Sequence, residues 1–213
     1  VCAYLGGITP PLTGRPAWMI LMELTSTGSQ DVLDNTMMEV LEAGMDKALA
    51  HDAAVASNLS NVQAFWRIRE EISDAQTRTG GSIKCDVSVP LSSIPQFLEK
   101  AIASVKSLAP DSRMVIYGHM GDGNVHFNPL RPADQDAKSY LNDHYKFVSK
   151  AVDDLVHSLN GSISAEHGIG VAKRDDLTQY KTSVELELMW QVKRALDPKN
   201  LLNPKKLLPV LIG

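Results

Sequence analysis

Apolar and polar positions follow several different rhythms along this chain. The run "PAWMILMELTS" (16–26) is almost unbroken in apolar character and is bounded by Pro, Ser and Thr. That pattern predicts a central strand buried on both faces. From Val32 to about Ala50 the spacing becomes helical, with Val32, Leu33, Met37, Val40, Leu41 and Met45 recurring along one face. A second helix is predicted over roughly 58–77, stopped by Gly80 and Gly81. "IKCDVSVP" (83–90) then alternates, with Ile83, Cys85, Val87 and Val89 on one face and Lys84 on the other. "LSSIPQFLEKAIASVKSLA" (91–109) predicts a helix that opens near a Ser cap with Pro95 in its first turn. "RMVIYG" (113–118) and "NVHFNP" (124–129) predict two strands paired across a glycine turn. A long helix follows over roughly 135–158, then a short strand at 162–166, and helices near 171–179 and 183–196. The tail, about 197–213, is punctuated by Pro and Asn and is expected to run extended over a surface.

Strand, helix and helix before the next strand, twice over, predicts an α+β fold: an antiparallel sheet covered by helices on one face. No internal repeat interrupts that order. The 213 residues suit one large domain or two small ones. With 44% hydrophobic and 22% charged residues, the chain reads as globular. A net charge of −4, without a basic stripe interleaved with aromatics, gives no electrostatic grip on nucleic acid. No apolar run approaches the roughly 20 residues of a membrane-spanning helix. Cys2 and Cys85 have no metal-binding spacing and are expected to be free thiols. The chain starts at Val1 with no signal-peptide pattern and reads as a piece of a longer protein.

The densest chemistry lies in "YGHMGDGNVHFNP" (117–129) and in "SAEHGIG" (164–170). His119 and His126 flank a tight turn, where Gly121 and Gly123 permit unusual backbone angles. Paired strands would bring both imidazoles to one side, and two histidines with one carboxylate make an open set for a divalent cation. Asp122 could supply the carboxylate, or could cap its own turn; Glu166, at the end of a short strand, is the better-placed ligand. Arg67, Arg69, Arg78 and Lys84 form a cationic segment that could receive a carboxylate or could be solvated surface. These residues alone leave three other functions open: a metal-dependent hydrolase using the same His/His/Glu set, a phosphate-cradling glycine loop, and a non-catalytic binding module. The loops match neither the GxxxxGK[ST] nor the GxGxxG pattern.

"GHMGDGNVHFN", "SAEHGIGVAKR", "LDPKNLLNP" and "WRIREEI" with "GGSIKCDVSVP" together resemble the C-terminal, substrate-side half of FAD-linked 2-hydroxyacid dehydrogenases. The likeness runs from about residue 15 to 209. It implies the fold of the FAD-linked oxidase C-terminal domain, with ferredoxin-like elements, over 1–213. It also implies a separate N-terminal FAD-binding domain that this chain lacks, so that the chain alone is expected to be inactive.

Carried over by motif, the resemblance makes His119, His126 and Glu166 ligands of a divalent metal (Zn, Mn or Fe) and His167 the general base. It assigns Arg69, Ser73, Lys84 and Asn128 to the substrate, and Asn203 to the flavin side. The implied partners are a small 2-hydroxy acid, the FAD domain and an unidentified electron acceptor. A homodimer is compatible with it, as is a bacterial cytoplasmic or mitochondrial matrix location.

Overall fold

The alternation at the centre of the chain becomes a three-stranded antiparallel sheet in the computed structural model, which describes residues 1–2 and 6–209. Its strands are β1 (Cys85–Ser88), β2 (Arg113–His119) and β3 (Asn124–Leu130), in the order β1-β3-β2. The register sets Asp86 and Tyr117 on either side of His126, and His119 opposite Asn124. Because side chains alternate across a strand, one face carries Cys85, Val87, Val125 and Phe127. The other carries Asp86, Tyr117, His119, Asn124 and His126.

The apolar face is covered by two helices, α4 (Ile94–Leu108) and α5 (Ala137–Ser158). α4 buries Ile94, Phe97, Ala101 and Val105, and α5 buries Tyr140, Val148, Val152 and Val156, each at helical spacing. Phe97 meets Phe127 edge-on with ring centroids 5.7 Å apart, so helix and sheet share one core. Asp136 caps α5 by accepting the Ser139 N–H. A single 3₁₀ turn, Leu91–Ser93, precedes α4. Cys2 and Cys85 are both free thiols. Cys85 lies in the core, where burial pushes its thiol up to about 12, well away from thiolate chemistry.

The hairpin between β2 and β3 depends on two glycines. Gly123 has φ +76°, and a Cβ there would stand 2.2 Å from the Val89 carbonyl oxygen. Gly118, inside β2, lies so close to β3 that a Cβ would meet the Asn124 carbonyl at 2.1 Å. Gly121 has open space around it and no positive φ, so the special backbone angle belongs to Gly123 alone.

The chain divides into two compact units, Val1–Thr79 and Gly80–Gly213; the sheet and its helices belong to the second. The first contains α1 (Gln30–Asp46), α2 (Leu59–Glu70) and α3 (Ile72–Thr79). The single helix expected over 58–77 is thus two, separated at Glu71, whose ψ of 9° has left the helical well. The expected strand at 16–26 is absent. Its residues carry no ladder, and Trp18, Met19 and Ile20 are exposed. Apolar character alone does not make a strand, and the described elements of the first unit are helices that offer no edge to pair with. Glu23 in this run instead accepts the Trp66 indole N–H at 2.6 Å.

Three other expectations change in the second unit. Residues 162–166 make one isolated bridge, Ser88 to Ser162, and no strand, although the Ala165 N–H still reaches the Asp86 carbonyl of β1. The Ser162 hydroxyl donates to the Ser164 carbonyl, a local turn in place of a ladder. The helix expected at 171–179 is a series of turns ending in one helical turn, α6 (Leu177–Tyr180). There the Lys173 ammonium donates to the Ile163 carbonyl, and the Arg174 guanidinium donates both to the neighbouring Asp175 and to the Lys205 carbonyl. α7 (Ser183–Leu196) opens with a capping box between Thr182 and Glu185. Over its described part, 197–209, the tail is turned rather than extended; the rest of it, 210–213, lies outside the described residues. Asp197 accepts the N–H groups of Leu201 and Leu202, and Asn200 and Asn203 adopt positive φ. No helix among the described residues is long and apolar enough to cross a membrane.

Candidate functional site

The polar face of the sheet is built around a buried carboxylate. Asp86 is 5% exposed. Its Oδ2 accepts the backbone N–H groups of Glu166 and His167, each at 2.8 Å, and its Oδ1 accepts the Asn124 amide at 2.9 Å. The Ala165 N–H donates to the Asp86 carbonyl at 3.2 Å. The loop at 164–168 is therefore laid against the end of β1 by one residue's backbone and side chain together. Burial opposes ionisation of Asp86. The hydrogen bonds from His167, Glu166 and Asn124 outweigh it and hold the carboxyl below its ordinary range.

His126 occupies the middle of this face, nearly buried. Its Nδ1 stands 3.5 Å from Asp86 Oδ1, and its Nε2 stands 3.3 Å from Glu166 Oε2. Tyr117, opposite on β2, stacks on the imidazole at 4.7 Å between centroids. His167 is more open, with 60% of its side chain exposed. Its Nδ1 faces Asp86 Oδ2 at 3.7 Å, and its ring lies 5.6 Å from that of His126.

A pocket of about 160 Å³ opens beside these groups, lined by Lys84, Asp86, Tyr145, Ser164, His167 and Lys173 among others. Lys173 is braced at its rim, donating to Asp153 Oδ1 at 3.3 Å and to the Ile163 carbonyl. Pockets for drug-sized ligands run from about 300 Å³ upward, so this one suits a molecule of few heavy atoms.

The sequence-expected residues separate as follows. His126, Glu166 and His167 come together around Asp86, and Lys84 shares the pocket with His167. His119 lies on the same face as His126 but two register positions further along the hairpin, a diagonal relation that places the residues about 7–8 Å apart. Asp122 caps the turn, its Oδ1 accepting the Asn124 N–H at 3.0 Å. Asn128 is buried, and its side-chain oxygen accepts the Cys85 N–H at 3.1 Å, tying β3 to β1. Arg69 and Ser73 lie on α2 and α3 of the first unit, and Asn203 is exposed in the tail. For these three the assignment rests on the motif alone.

Asp86, Asn124, Tyr117 and Lys173 were not singled out by sequence. The one available signal was that Asp86 shares the non-core face of an alternating strand with Lys84.

The donor set suits a divalent cation. An imidazole nitrogen and a carboxylate oxygen, His126 Nε2 and Glu166 Oε2, converge on one point. On the same face of the sheet, Asn124 Oδ1 is buried without a hydrogen-bond partner. Asp86, His126 and His167 also offer ligand atoms within 4.8 Å of one another.

The chain matches the family model described as FAD linked oxidases, C-terminal domain, over residues 10–207. It is 35% identical over 209 residues to a protein of Oryza sativa subsp. indica named probable D-2-hydroxyglutarate dehydrogenase, mitochondrial, covering 97% of this chain and 35% of that protein. The Arabidopsis thaliana protein named D-2-hydroxyglutarate dehydrogenase, mitochondrial, is 33% identical over 210 residues, 98% of this chain and 36% of its own length. A Stutzerimonas stutzeri (strain A1501) protein named D-2-hydroxyglutarate dehydrogenase is 32% identical over 202 residues, 95% of this chain and 43% of its own. The chain thus spans less than half the length of these relatives. With the motifs of both loops inside the matched region, the chain belongs to the family of FAD-linked oxidase C-terminal domains.

Proposed function

We propose that this chain is the substrate-binding domain of an FAD-dependent dehydrogenase that oxidises a D-2-hydroxy acid to the 2-oxo acid. The observation that carries the reading is the pocket shared by Lys84 and His167, residues from two motifs about eighty positions apart whose loop is pinned by Asp86. A cation to neutralise a carboxylate and a base to take a proton are what a hydroxy acid requires.

The oxidation breaks the C2–H and O–H bonds of the acid and forms C2=O. FAD supplies the hydride acceptor, and a divalent cation (Zn, Mn or Fe) supplies a Lewis acid for the hydroxyl oxygen. His119, His126 and Glu166 are the proposed ligands of that cation. His167 accepts the hydroxyl proton. Its Nδ1 is turned to Asp86 Oδ2, which leaves Nε2 as the base nitrogen. Lys84 neutralises the carboxylate and so fixes which face of C2 is presented. Family membership and the names of the relatives support the flavin and the hydroxy acid class.

The test is an anaerobic titration of the full-length flavoprotein with D- and L-2-hydroxy acids, D-2-hydroxyglutarate and D-lactate among them. The flavin absorbance should bleach with at least one D-acid. A flavin left oxidised by every acid would remove the reading.

A further inference from the structure

We propose that the buried ion pair of Lys173 and Asp153 staples the loop carrying Glu166 and His167, which makes Lys173 a positioning residue of this site. The inference rests on the function proposed above for its rate readout, but not for its exchange readout.

The near end of that loop is fixed by Asp86, which takes the N–H groups of Ala165, Glu166 and His167. The far end has no such anchor in its backbone. Immediately beyond His167, Gly168 and Gly170 hold positive φ of 75° and 56°, and a Cβ on either would meet nothing within 4 Å. Two glycines in open space leave that backbone free to move. Lys173 closes the gap. Its ammonium donates to the Ile163 carbonyl at the start of the loop and to Asp153 Oδ1 at 3.3 Å. Both acceptors belong to the core, since Ile163 is 5% exposed and Asp153 is buried on α5. An ammonium has three donors, enough to hold a carbonyl and a carboxylate at once. Stability is a poor explanation of the pair. Burial pushes the Asp153 carboxyl above its ordinary range, and Lys173 offsets only part of that. A buried pair whose desolvation is not recovered adds little to stability, and what it can supply is one fixed arrangement. The segment so held, with Gly168, Ile169, Ala172 and Lys173, lines the pocket together with His167. Asp153 is absent from that lining, so its effect on the site passes through Lys173.

Two measurements on the full-length flavoprotein test this. The variant combines Lys173→Met with Asp153→Leu, so that neither charge is left buried alone; folds tolerate such replacement of a buried pair by apolar residues. The first measurement is amide hydrogen exchange. The peptide holding Ala165, Glu166 and His167 should exchange faster by at least roughly tenfold, the scale of one lost charge-assisted hydrogen bond. Peptides from α4 and β3 should keep their wild-type exchange. Unchanged exchange at 165–167 would overturn the proposal. The second is flavin reduction by a D-2-hydroxy acid. Its rate at saturating acid should fall by roughly 10- to 100-fold, as an ångström-scale misplacement of reacting groups does. Flavin content and the apparent dissociation constant of the acid should stay near wild type. A wild-type rate at saturation with weakened acid binding would make Lys173 a carboxylate contact. A wild-type rate with a loosened loop would make the pair structural only; both results overturn the proposal. Should the double variant lose its flavin or its protection in α4, Lys173→Gln, which removes the cation and keeps one shorter donor, is read against the same outcomes. If no acid reduces the wild-type flavin, the function fails while exchange at 165–167 still decides whether the pair holds the loop.

Discussion

Replacing His167 with Ala in the full-length flavoprotein should slow flavin reduction by roughly 10²–10⁴-fold, the usual contribution of a positioned general base, while flavin content stays unchanged. The expectation follows from where the side chain sits. Its backbone N–H is bound by Asp86 and its Nδ1 faces the same carboxylate. The side chain lines the pocket that also holds Lys84. Few packing contacts go with the imidazole, since most of it is in solvent, so the fold should tolerate the change. Rapid mixing with a saturating D-2-hydroxy acid, read at the flavin band, gives the rate directly. Reduction at the wild-type rate would remove His167 from the base role.

His126→Ala should have the second large effect, on metal content. The motif assigns His119, His126 and Glu166 as ligands, whereas the side chains with ligand atoms in mutual reach are Asp86, His126 and His167. His126 belongs to both sets. Its loss should weaken cation binding by more than the roughly 10–100-fold typical of outer-shell substitutions, and leave the purified protein near background by elemental analysis. His119→Ala separates the sets. The present account expects the cation to be lost in this variant too. A near-stoichiometric cation retained in His119→Ala would favour the Asp86 set and revise the assignment.

What the sequence made legible, and what it hid, divides by the range of the interactions. The alternation in "IKCDVSVP" and "NVHFNP" read correctly as strands because one face of each packs under α4 and α5. The hairpin was legible because Gly123 is held in a backbone conformation that few other residues adopt. The run at 16–26 was misread because apolarity says that a segment favours burial, and says nothing about a ladder partner. The helix expected at 171–179 is replaced by turns in which Lys173 reaches Ile163 and Asp153 and Arg174 reaches Lys205 as well as its neighbour Asp175, and local spacing does not register the distant contacts. The tail failed in the same way, folded back by the Asp197 carboxylate.

At the site, the two histidine motifs were visible because glycines and histidines are dense there. Asp86 was not, because in sequence it is one acidic residue inside an otherwise ordinary strand. Its importance appears only when β1 pairs with β3 and the loop around Glu166 and His167, some eighty residues on, folds down onto its side chain.

The most direct test of the central claim, that this domain holds a hydroxy acid for hydride transfer from C2, is a kinetic isotope measurement. The full-length flavoprotein would be mixed anaerobically with a bleaching D-2-hydroxy acid carrying either hydrogen or deuterium at C2, and flavin reduction followed in a single turnover. The account predicts slower reduction with the deuterated acid, because the C2–H bond breaks in the step that bleaches the flavin. Equal rates, with the chemical step shown to be rate-limiting by their saturation with acid and their sensitivity to His167→Ala, would contradict hydride transfer from C2.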